Sequence, residues 1–282
     1  MAKQITGRIG LIGDPVEHSL SPVFQQAAFD TLGIPVKYEL WRTSTGMIRA
    51  RIASMRVGAI YGANITLPHK EAFAEAVDRL TEIAQRVGAV NTIIHDEDGK
   101  LLGDNTDVYG FIQPLREREF AFEESDALIL GAGGAARAAV IGLLDAGIRT
   151  ITIANRSLPR AEALANDFDD PRISVCALDE APERAEGRQL AINATALGWH
   201  GESPVGPEFF ERLAPGALVY DLTYRRTPYL VAAEAAGLET LDGLPMLVHQ
   251  GARSFELWTG EPAPLDVMMK AATEAALARA PS

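Results

Sequence analysis

The stretch ILGAGGAARAAV, residues 129–140, decides the fold of the second half of the chain. An apolar run leads into Gly131, Gly133 and Ala136, which have the G-x-G-x-x-A spacing of a strand-to-helix turn around a pyrophosphate. The first glycine permits the tight turn, the second lets the backbone approach the phosphates, and the helix N-terminus adds partial positive charge. The sequence therefore predicts that four residues of this turn bind a dinucleotide: Gly131, Gly133, Gly134 and Ala135.

Apolar runs recur around this turn, with helical patterns between them. The runs read ALIL, TITIAN, ISVCAL, QLAINAT, ALVYDLTY and LETLDG. Strands that alternate with helices form parallel sheets with helices on both faces. We therefore predict a doubly wound, Rossmann-type α/β domain over residues 116–244.

The residues before the turn show a second α/β pattern. Strands are predicted at RIGLIG, VKYELW, AIYGANIT and AVNTII, and a helix at SPVFQQAAFDTLG, which begins at Pro22 and ends at Gly33. The tail from residue 245 reads as two helices broken at residues 260–264, without a strand of its own. Because such a tail must pack on another element, we expect it to complete the first domain. The predicted domains are residues 1–115 with 245–282, and residues 116–244.

Composition and charge exclude several classes of protein. Hydrophobic residues make up 47% and charged residues 23% of the 282, which is ordinary for a globular protein. The chain begins without an apolar signal segment, and charges interrupt every apolar run before the ~18 residues that a membrane span needs. The net charge of −12 disfavours binding to a nucleic acid backbone. We expect a soluble, cytoplasmic protein with no nucleic acid or membrane partner.

The sequence lacks the residue patterns of disulfide and metal sites. Cys176 is the only cysteine, which excludes an internal disulfide and a cysteine-based metal site and fits a reducing cytoplasm. The five histidines show no ligand pattern such as H-E-x-x-H. We therefore predict no metal.

The strand after the glycine turn ends in a basic segment. An NAD-binding protein usually carries an acidic residue here for the ribose hydroxyls, whereas this chain has Asn155 and Arg156, with Arg160 one helical turn later. A guanidinium at this strand end favours the 2′-phosphate of NADP. The alternative is that these side chains only meet solvent at the strand end.

The segment HSLSP places Ser19 and Ser21 just before Pro22. Ser21 is suited to be the N-cap of the predicted helix, which by itself would explain the residue. Two hydroxyl groups at a helix N-terminus also form a good binding site for a carboxylate. Both interpretations remain open from the residues alone.

The segment NITLPHKEA combines a polar strand end with an unusual lysine. Asn64 and Thr66 end a predicted strand, and Lys70 lies in the first turn of a helix that Pro68 begins. A cation there opposes the helix dipole, and a broken local rule tends to mark a functional site, here one suited to proton transfer. The alternative is that Glu71 offsets the charge and Lys70 only meets solvent.

The segments GAVNTII and GDNTDVYGF add two further polar residues. Asn91 lies within a predicted strand, and Asp107 precedes a helix that begins near Val108. Asp107 is a candidate for chemistry, but the N-cap of this helix would also explain it.

Taken together, these segments resemble the shikimate dehydrogenase family. The blocks GDPVEHSLSP, NITLPHK, GAVNTI, GDNTD, GAGGAARA, ANRS, INAT, VYDLTY and DGLPMLVHQGARSFELWTG occur in the family's order over nearly the whole chain. The resemblance implies reduction of 3-dehydroshikimate to shikimate with NADPH. It also implies an N-terminal substrate domain completed by the C-terminal helices, a nucleotide domain between them, and a monomer or homodimer.

The resemblance assigns a role to each matching residue. Lys70 and Asp107 would be the acid/base pair at the reacting carbinol, and Tyr224 would reach the substrate from the nucleotide domain. Thr195 and Gly243 would contact the cofactor. Ser19 and Ser21 would bind the substrate carboxylate, and the ring hydroxyls would be read by Asn64, Thr66, Asn91 and Gln250.

Several residues depart from the family's pattern, and they leave other functions open. Val108, Pro245 and Gly251 replace the usual glycine, glycine and alanine, and the segment TYRRTP is shorter than the common Y-x-P-x-x-T-P. Leu197 and Trp199 stand where small or methionine residues are more familiar. A quinate/shikimate or aminoshikimate-type dehydrogenase, which could use NAD, is therefore an alternative. An inactive nucleotide-binding paralogue is another, although the acid/base pair is intact.

Overall fold

The computed structural model describes residues 7–57 and 60–279. These residues form two compact units: one contains the described residues up to Gly110 and from Leu247 onward, and the other is Phe111–Met246. Each unit is built on a sheet of six strands. The predicted α/β class is confirmed. The domain boundaries predicted from the sequence, after residue 115 and before residue 245, lie a few residues from the boundaries of these two units.

The sheet of the first unit is mixed, with strand order β2-β1-β3-β5-β6-β4. Strand β1 runs parallel to β2 and β3, whereas β5 runs antiparallel to β3 and to β6. The strands are β1 (Gly7–Gly13), β2 (Val36–Arg42), β3 (Ile60–Ile65), β4 (Arg79–Leu80), β5 (Thr92–His95) and β6 (Leu101–Asp104).

Two of these strands were missed from the sequence. Strand β4 has only two residues, and β6 has four with Gly103 inside, so neither is long enough to show an alternating pattern. Gly103 is suited to its place because a Cβ there would lie 2.5 Å from Cγ2 of Val90.

Helices of the first unit lie between and after these strands. They are α1 (Ser21–Thr31), α2 (Ile48–Arg56), α3 (Lys70–Ala74), α4 (Glu82–Val87) and the start of α5 (Asp107–Glu117). Near the C-terminus, the tail forms two helices separated at residues 260–264, as predicted, and the second of them packs against α1.

The second unit contains a fully parallel sheet with strand order β12-β11-β10-β7-β8-β9. All six predicted strands are present. They are β7 (Asp126–Leu130), β8 (Thr150–Asn155), β9 (Ile173–Ala177), β10 (Leu190–Asn193), β11 (Leu218–Asp221) and β12 (Glu239–Leu241). The helices between these strands are α6 (Gly134–Asp145), α7 (Leu158–Asn166), α8 (Ala181–Arg184), α9 (Pro207–Glu211) and α10 (Pro228–Ala235). The two helices of the C-terminal tail are α11 (Leu244–Thr259) and α12 (Leu265–Ala278).

The central strand β7 shows why this sheet carries helices on both faces. Ala127 and Ile129 belong to one buried apolar cluster, and Leu128 and Leu130 belong to another. Successive side chains of a strand point to opposite faces, so a continuous apolar run is expected of a strand that is covered on both sides. Within the described ranges, no helix is long and apolar enough to span a membrane.

Candidate active site

A lysine and an aspartate form an ion pair in the first unit. Lys70 Nζ donates to Asp107 Oδ2 over 2.6 Å, and both side chains are mostly but not fully buried. The carboxylate therefore holds the ammonium group while solvent and small molecules still have access to it. The interpretation that Lys70 only meets solvent is wrong.

Lys70 is the first residue of α3, so the helix begins two residues later than the prediction at Pro68. The N-cap is His69, whose buried ring contacts the carbonyl oxygen of Thr43 over 2.5 Å. The carbonyl oxygen of Lys70 accepts from the backbone N–H of Val90 over 2.9 Å. These contacts fix the backbone on both sides of the lysine.

Asp107 is the first residue of α5, one position after the N-cap. Its backbone N–H donates to Oδ1 of Asn105 over 3.0 Å, so Asn105 supplies the side-chain acceptor near the helix start. The two carboxylate oxygens of Asp107 accept from Lys70 Nζ and, over 2.9 Å, from Asn91 Nδ2. The N-cap explanation of Asp107 is therefore wrong.

Asn91 joins this pair to the C-terminal part of the first unit. It lies immediately before β5, not within it as predicted. Its Oδ1 accepts from the backbone N–H of Thr106 over 2.8 Å, and its Nδ2 lies 3.3 Å from Gln250 Oε1. Asn91 and Gln250 are both buried.

Asn64 lies near the end of β3 and has three side-chain partners. Its Nδ2 donates to Ser254 Oγ over 2.9 Å and to Thr92 Oγ1 over 3.1 Å. Its Oδ1 accepts from the hydroxyl of Tyr38 over 2.8 Å. Burial raises the pKa of Tyr38 well above its usual range, and a hydrogen bond with Ser21 opposes this shift. The phenol therefore stays protonated and keeps donating.

These side chains form a continuous hydrogen-bonded set. We call this set the polar cluster: Tyr38, Asn64, Lys70, Asn91, Thr92, Thr106, Asp107, Gln250 and Ser254.

Sequence reasoning missed four members of the polar cluster: Tyr38, Thr92, Thr106 and Ser254. Ser254 follows Gln250 by four residues on α11, and side chains at that spacing share one helix face, so this residue could have been found. Tyr38 gave no such signal, because its contact with Asn64 depends on β1 lying between β2 and β3.

The two serines of the HSLSP segment hydrogen-bond to each other. Ser19 Oγ donates to Ser21 Oγ over 3.1 Å and accepts from the backbone N–H of Ser21 over 3.1 Å. The N-cap of α1 is Leu20, and Ser21 is the first helical residue, so the interpretation of Ser21 as the N-cap is wrong. Thr66 lies just after β3, where its backbone N–H donates to the carbonyl oxygen of Ile12.

The glycine turn of the second unit has the backbone that its spacing predicts. Gly131 has φ +111°, and a Cβ there would lie 3.1 Å from the carbonyl oxygen of Ala194. Gly133 is the N-cap of α6, and a Cβ on Gly133 or Gly134 would meet nothing within 4 Å. The N-terminus of this 12-residue helix is therefore open to a bound anion.

The end of β8 presents basic side chains beside this turn. Asn155 is the last residue of β8, and its Nδ2 donates to the carbonyl oxygen of Ser157 over 2.9 Å. Arg156 follows, Arg160 lies in the first turn of α7, and both side chains are exposed. A 2′-phosphate on a nucleotide ribose would find two guanidinium groups here.

A buried aspartate organises the loops after β10 and β11. Asp221 is fully buried and accepts from Asn193 Nδ2 over 3.0 Å and from the backbone N–H of Thr223 over 2.9 Å. Asn193 Oδ1 in turn accepts from the backbone N–H and Oγ1 of Thr195. Gly243 donates its backbone N–H to Thr223, and a Cβ there would lie 2.2 Å from the carbonyl oxygen of the neighbouring loop at residue 222.

Three family models match the chain. They are the shikimate dehydrogenase substrate binding domain over residues 11–93, shikimate/quinate 5-dehydrogenase over residues 115–199, and the shikimate 5′-dehydrogenase C-terminal domain over residues 243–273. The NADP(+) shikimate dehydrogenase of Geobacillus kaustophilus is 43% identical over 255 residues, which cover 89% of this chain and 92% of the relative. The chain belongs to the shikimate dehydrogenase family.

Two further members of the shikimate dehydrogenase family cover almost all of the chain. The NADP(+) shikimate dehydrogenase of Rhodospirillum rubrum is 41% identical over 278 residues, 95% of this chain and 98% of that one. A crystal structure of the Thermus thermophilus shikimate 5-dehydrogenase, in complex with NADP(H) and shikimate, matches with a TM-score of 0.85 and 39% identity. That match covers 96% of this chain and all of the other, at 100%.

Proposed function

We propose that this chain catalyses the reversible, NADP-dependent hydride transfer between shikimate and 3-dehydroshikimate. The observation that carries the proposal is the Lys70–Asp107 ion pair, held by Asn91 at the centre of the polar cluster. Family membership supports the same reaction. The first unit is proposed to bind the substrate, and the second is proposed to bind the cofactor.

The polar cluster and the two serines suit a small polyhydroxy acid. Ser19 and Ser21 are proposed to bind the carboxylate, because their paired hydroxyl groups lie at the start of α1. The groups proposed to hydrogen-bond to the ring hydroxyls are side-chain amides and a hydroxyl, which can each donate and accept hydrogen bonds. These groups belong to Asn64, Thr66, Asn91 and Gln250, and Tyr224 is also proposed to contact the substrate.

Lys70 and Asp107 are proposed to handle the proton of the reacting hydroxyl. NADPH supplies the hydride when it is bound. As the ketone is reduced, negative charge develops on its oxygen, and the ammonium group of Lys70 stabilises this charge and then donates a proton to it. In the reverse direction Lys70 accepts the proton. Asp107 keeps Nζ oriented through its 2.6 Å hydrogen bond.

The second unit has the features that an NADP molecule needs. The open N-terminus of α6, with Gly133 and Gly134, suits the pyrophosphate, together with Gly131 and Ala135 of the same turn. Arg156 and Arg160, with Asn155, suit the 2′-phosphate. Thr195 and Gly243 are proposed to line the nicotinamide end. Among the described residues, no group of three histidine, cysteine or acidic side chains is arranged to hold a metal ion.

One assay tests this function against its alternatives. Purified protein is mixed with shikimate or quinate and with NADP or NAD, and absorbance of the reduced nicotinamide is followed. We expect the highest kcat/KM for shikimate with NADP. A preference for quinate or for NAD would support the quinate-type alternative, and no turnover with any pair would support an inactive paralogue.

We also propose a cytoplasmic location and a monomeric or homodimeric state. Cys176 is a buried free thiol, as suits a reducing compartment. Light scattering on the purified protein measures the oligomeric state, and a mass above that of a dimer would contradict this part of the proposal.

A further inference from the structure

Two departures from the family pattern lie in contact within the second unit. Trp199 lies in a short 3-10 segment, Leu197–His200, and Tyr224 and Arg225 lie in the short loop between β11 and α10. The rings of Trp199 and Tyr224 meet edge to face, with centroids 4.9 Å apart and an interplanar angle of 84°. The guanidinium carbon of Arg225 lies 4.5 Å from the centroid of the Trp199 ring.

The backbones that carry these side chains are fixed against each other. Gly198 is buried, and a Cβ there would lie 2.7 Å from Thr227 Cγ2 and 3.3 Å from Thr223 Oγ1. Both threonines are held by Asp221, which accepts from Thr227 Oγ1 over 2.7 Å and from the backbone N–H of Thr223. The backbone of Trp199, the residue after Gly198, therefore holds the indole at a defined position.

Core packing does not explain the indole of Trp199. Trp199 is 38% exposed, and it belongs to neither of the two buried apolar clusters described above for the second unit. Its contacts are instead an aromatic edge-to-face pair and a cation over a ring, both of which are favourable and depend on geometry. The loop that it contacts is two residues shorter than the Y-x-P-x-x-T-P pattern, because only Arg225 and Arg226 separate Tyr224 from Thr227.

We infer that Trp199 is a positioning residue, which holds the Tyr224 ring and supplies the packing that a longer loop would otherwise give. The inference rests on the proposed function, in which Tyr224 contacts the substrate. A ring that is already held in place loses less conformational freedom when the substrate binds. Loss of the indole should therefore weaken substrate binding more than it slows chemistry.

The first test replaces the indole. Trp199→Ala should raise KM for shikimate by about threefold to tenfold, the effect expected for one aromatic pair, and should change kcat by less than about twofold. The Kd for NADP, measured by fluorescence, should stay unchanged. Trp199→Phe keeps a ring and should restore most of the KM. An unchanged KM in Trp199→Ala, or an equal loss of NADP affinity, would overturn the inference.

The second test asks whether Trp199 acts through Tyr224. In a Tyr224→Ala background, Trp199→Ala should raise KM no further, because contacting residues give non-additive effects. Arg225→Ala should raise KM by a smaller factor, about twofold. Arg226→Ala is the matched control, since Arg226 is the adjacent exposed arginine and pairs with Glu234 over 2.7 Å. Additive effects of the two aromatic substitutions would overturn the inference.

A measurement without substrate separates this inference from the proposed function. Urea unfolding of the wild type, Trp199→Ala, Tyr224→Ala and the double variant should also show non-additive free energies of unfolding. If the wild type did not oxidise shikimate, the proposed function would fail, whereas the contact between the two rings would still be measured. Additive free energies would overturn the ring contact itself.

Discussion

The polar cluster of the first unit and the glycine turn of the second unit are suited to bind their ligands for opposite structural reasons. In the polar cluster, functional groups are already bonded to one another, as Lys70, Asp107 and Asn91 are. In the glycine turn, side chains are missing, and the space beside Gly133 and Gly134 is empty of protein atoms within 4 Å of a Cβ. Removing a group should therefore damage the first site, and adding one should damage the second.

The largest effect is expected from Lys70→Ala. The variant removes the group proposed to donate the proton, so kcat should fall by about 100-fold or more, the usual scale for a general acid. The Kd for NADP should stay the same, because the glycine turn is untouched. Steady-state kinetics and cofactor fluorescence measure both values. Lys37→Ala, at an exposed position of β2, is the control. Near wild-type turnover would remove Lys70 from the mechanism.

The charge of Arg156 should decide the choice of cofactor. Arg156→Asp replaces a cation proposed to bind the 2′-phosphate with an anion that repels it. Because a hydrogen bond to a charged group contributes roughly 1.5 to 3 kcal/mol, kcat/KM for NADP should fall by about tenfold to 100-fold. The value for NAD should hold or rise slightly. Arg160→Ala should act in the same direction and more weakly. If the wild type used NADP and NAD with equal kcat/KM, the proposed role of Arg156 in binding the 2′-phosphate would be contradicted.

An added methyl group tests whether the empty space in the glycine turn binds the cofactor. Gly133→Ala places a Cβ in empty space, so the unfolding temperature should change little. The Kd for NADP should rise by about tenfold, because the backbone can no longer approach the phosphates. Gly131→Ala is the contrasting variant. Its φ of +111° strains an alanine, so this variant should lose stability as well. Equal NADP affinity in Gly133→Ala and the wild type would show that the turn does not bind the cofactor.

The comparison also explains which features could be predicted from the sequence. The parallel sheet and the glycine turn follow from local patterns, since each strand is an apolar run and the turn needs fixed spacing. The polar cluster depends on long-range pairing, such as the contact of Tyr38 with Asn64, and no local pattern specifies that contact. Lys70 was found because it breaks a local rule, although the start of its helix was placed two residues too early.

Ser254 tests whether the polar cluster acts as a unit. Ser254→Ala removes an acceptor of Asn64 Nδ2, so KM for shikimate should rise by about threefold, the usual scale for one net hydrogen bond. The Kd for NADP should not change. Thr273→Ala is the matched control, because Thr273 Oγ1 bonds to the carbonyl oxygen four residues earlier, as Ser254 Oγ does, but on an exposed face of α12. Equal KM values for both variants would show that Ser254 only supports its helix.

The smallest effect concerns two carboxylates of the second unit. Asp221 is fully buried with three hydrogen-bond donors, whereas the backbone N–H of Leu244 is the donor to Asp242. Burial raises the pKa of Asp242, and the nearby Asp221 carboxylate raises it further, while the Leu244 N–H and Arg118 oppose the shift. The charged form of Asp242 is therefore disfavoured in the folded state.

The sign of the pH effect follows from this shift. Between the unfolded pKa of Asp242, about 3.9, and its raised folded value, the folded state binds more protons, so stability falls as pH rises through that window. Asp242→Asn removes the charge and keeps an oxygen acceptor for the Leu244 N–H. Its unfolding temperature should exceed that of the wild type by about 2 °C at pH 8, and the difference should shrink toward acid pH. Glu239→Gln, at the exposed first position of β12, should show no such trend. A less stable Asp242→Asn at pH 8 would mean that the carboxylate stabilises this loop.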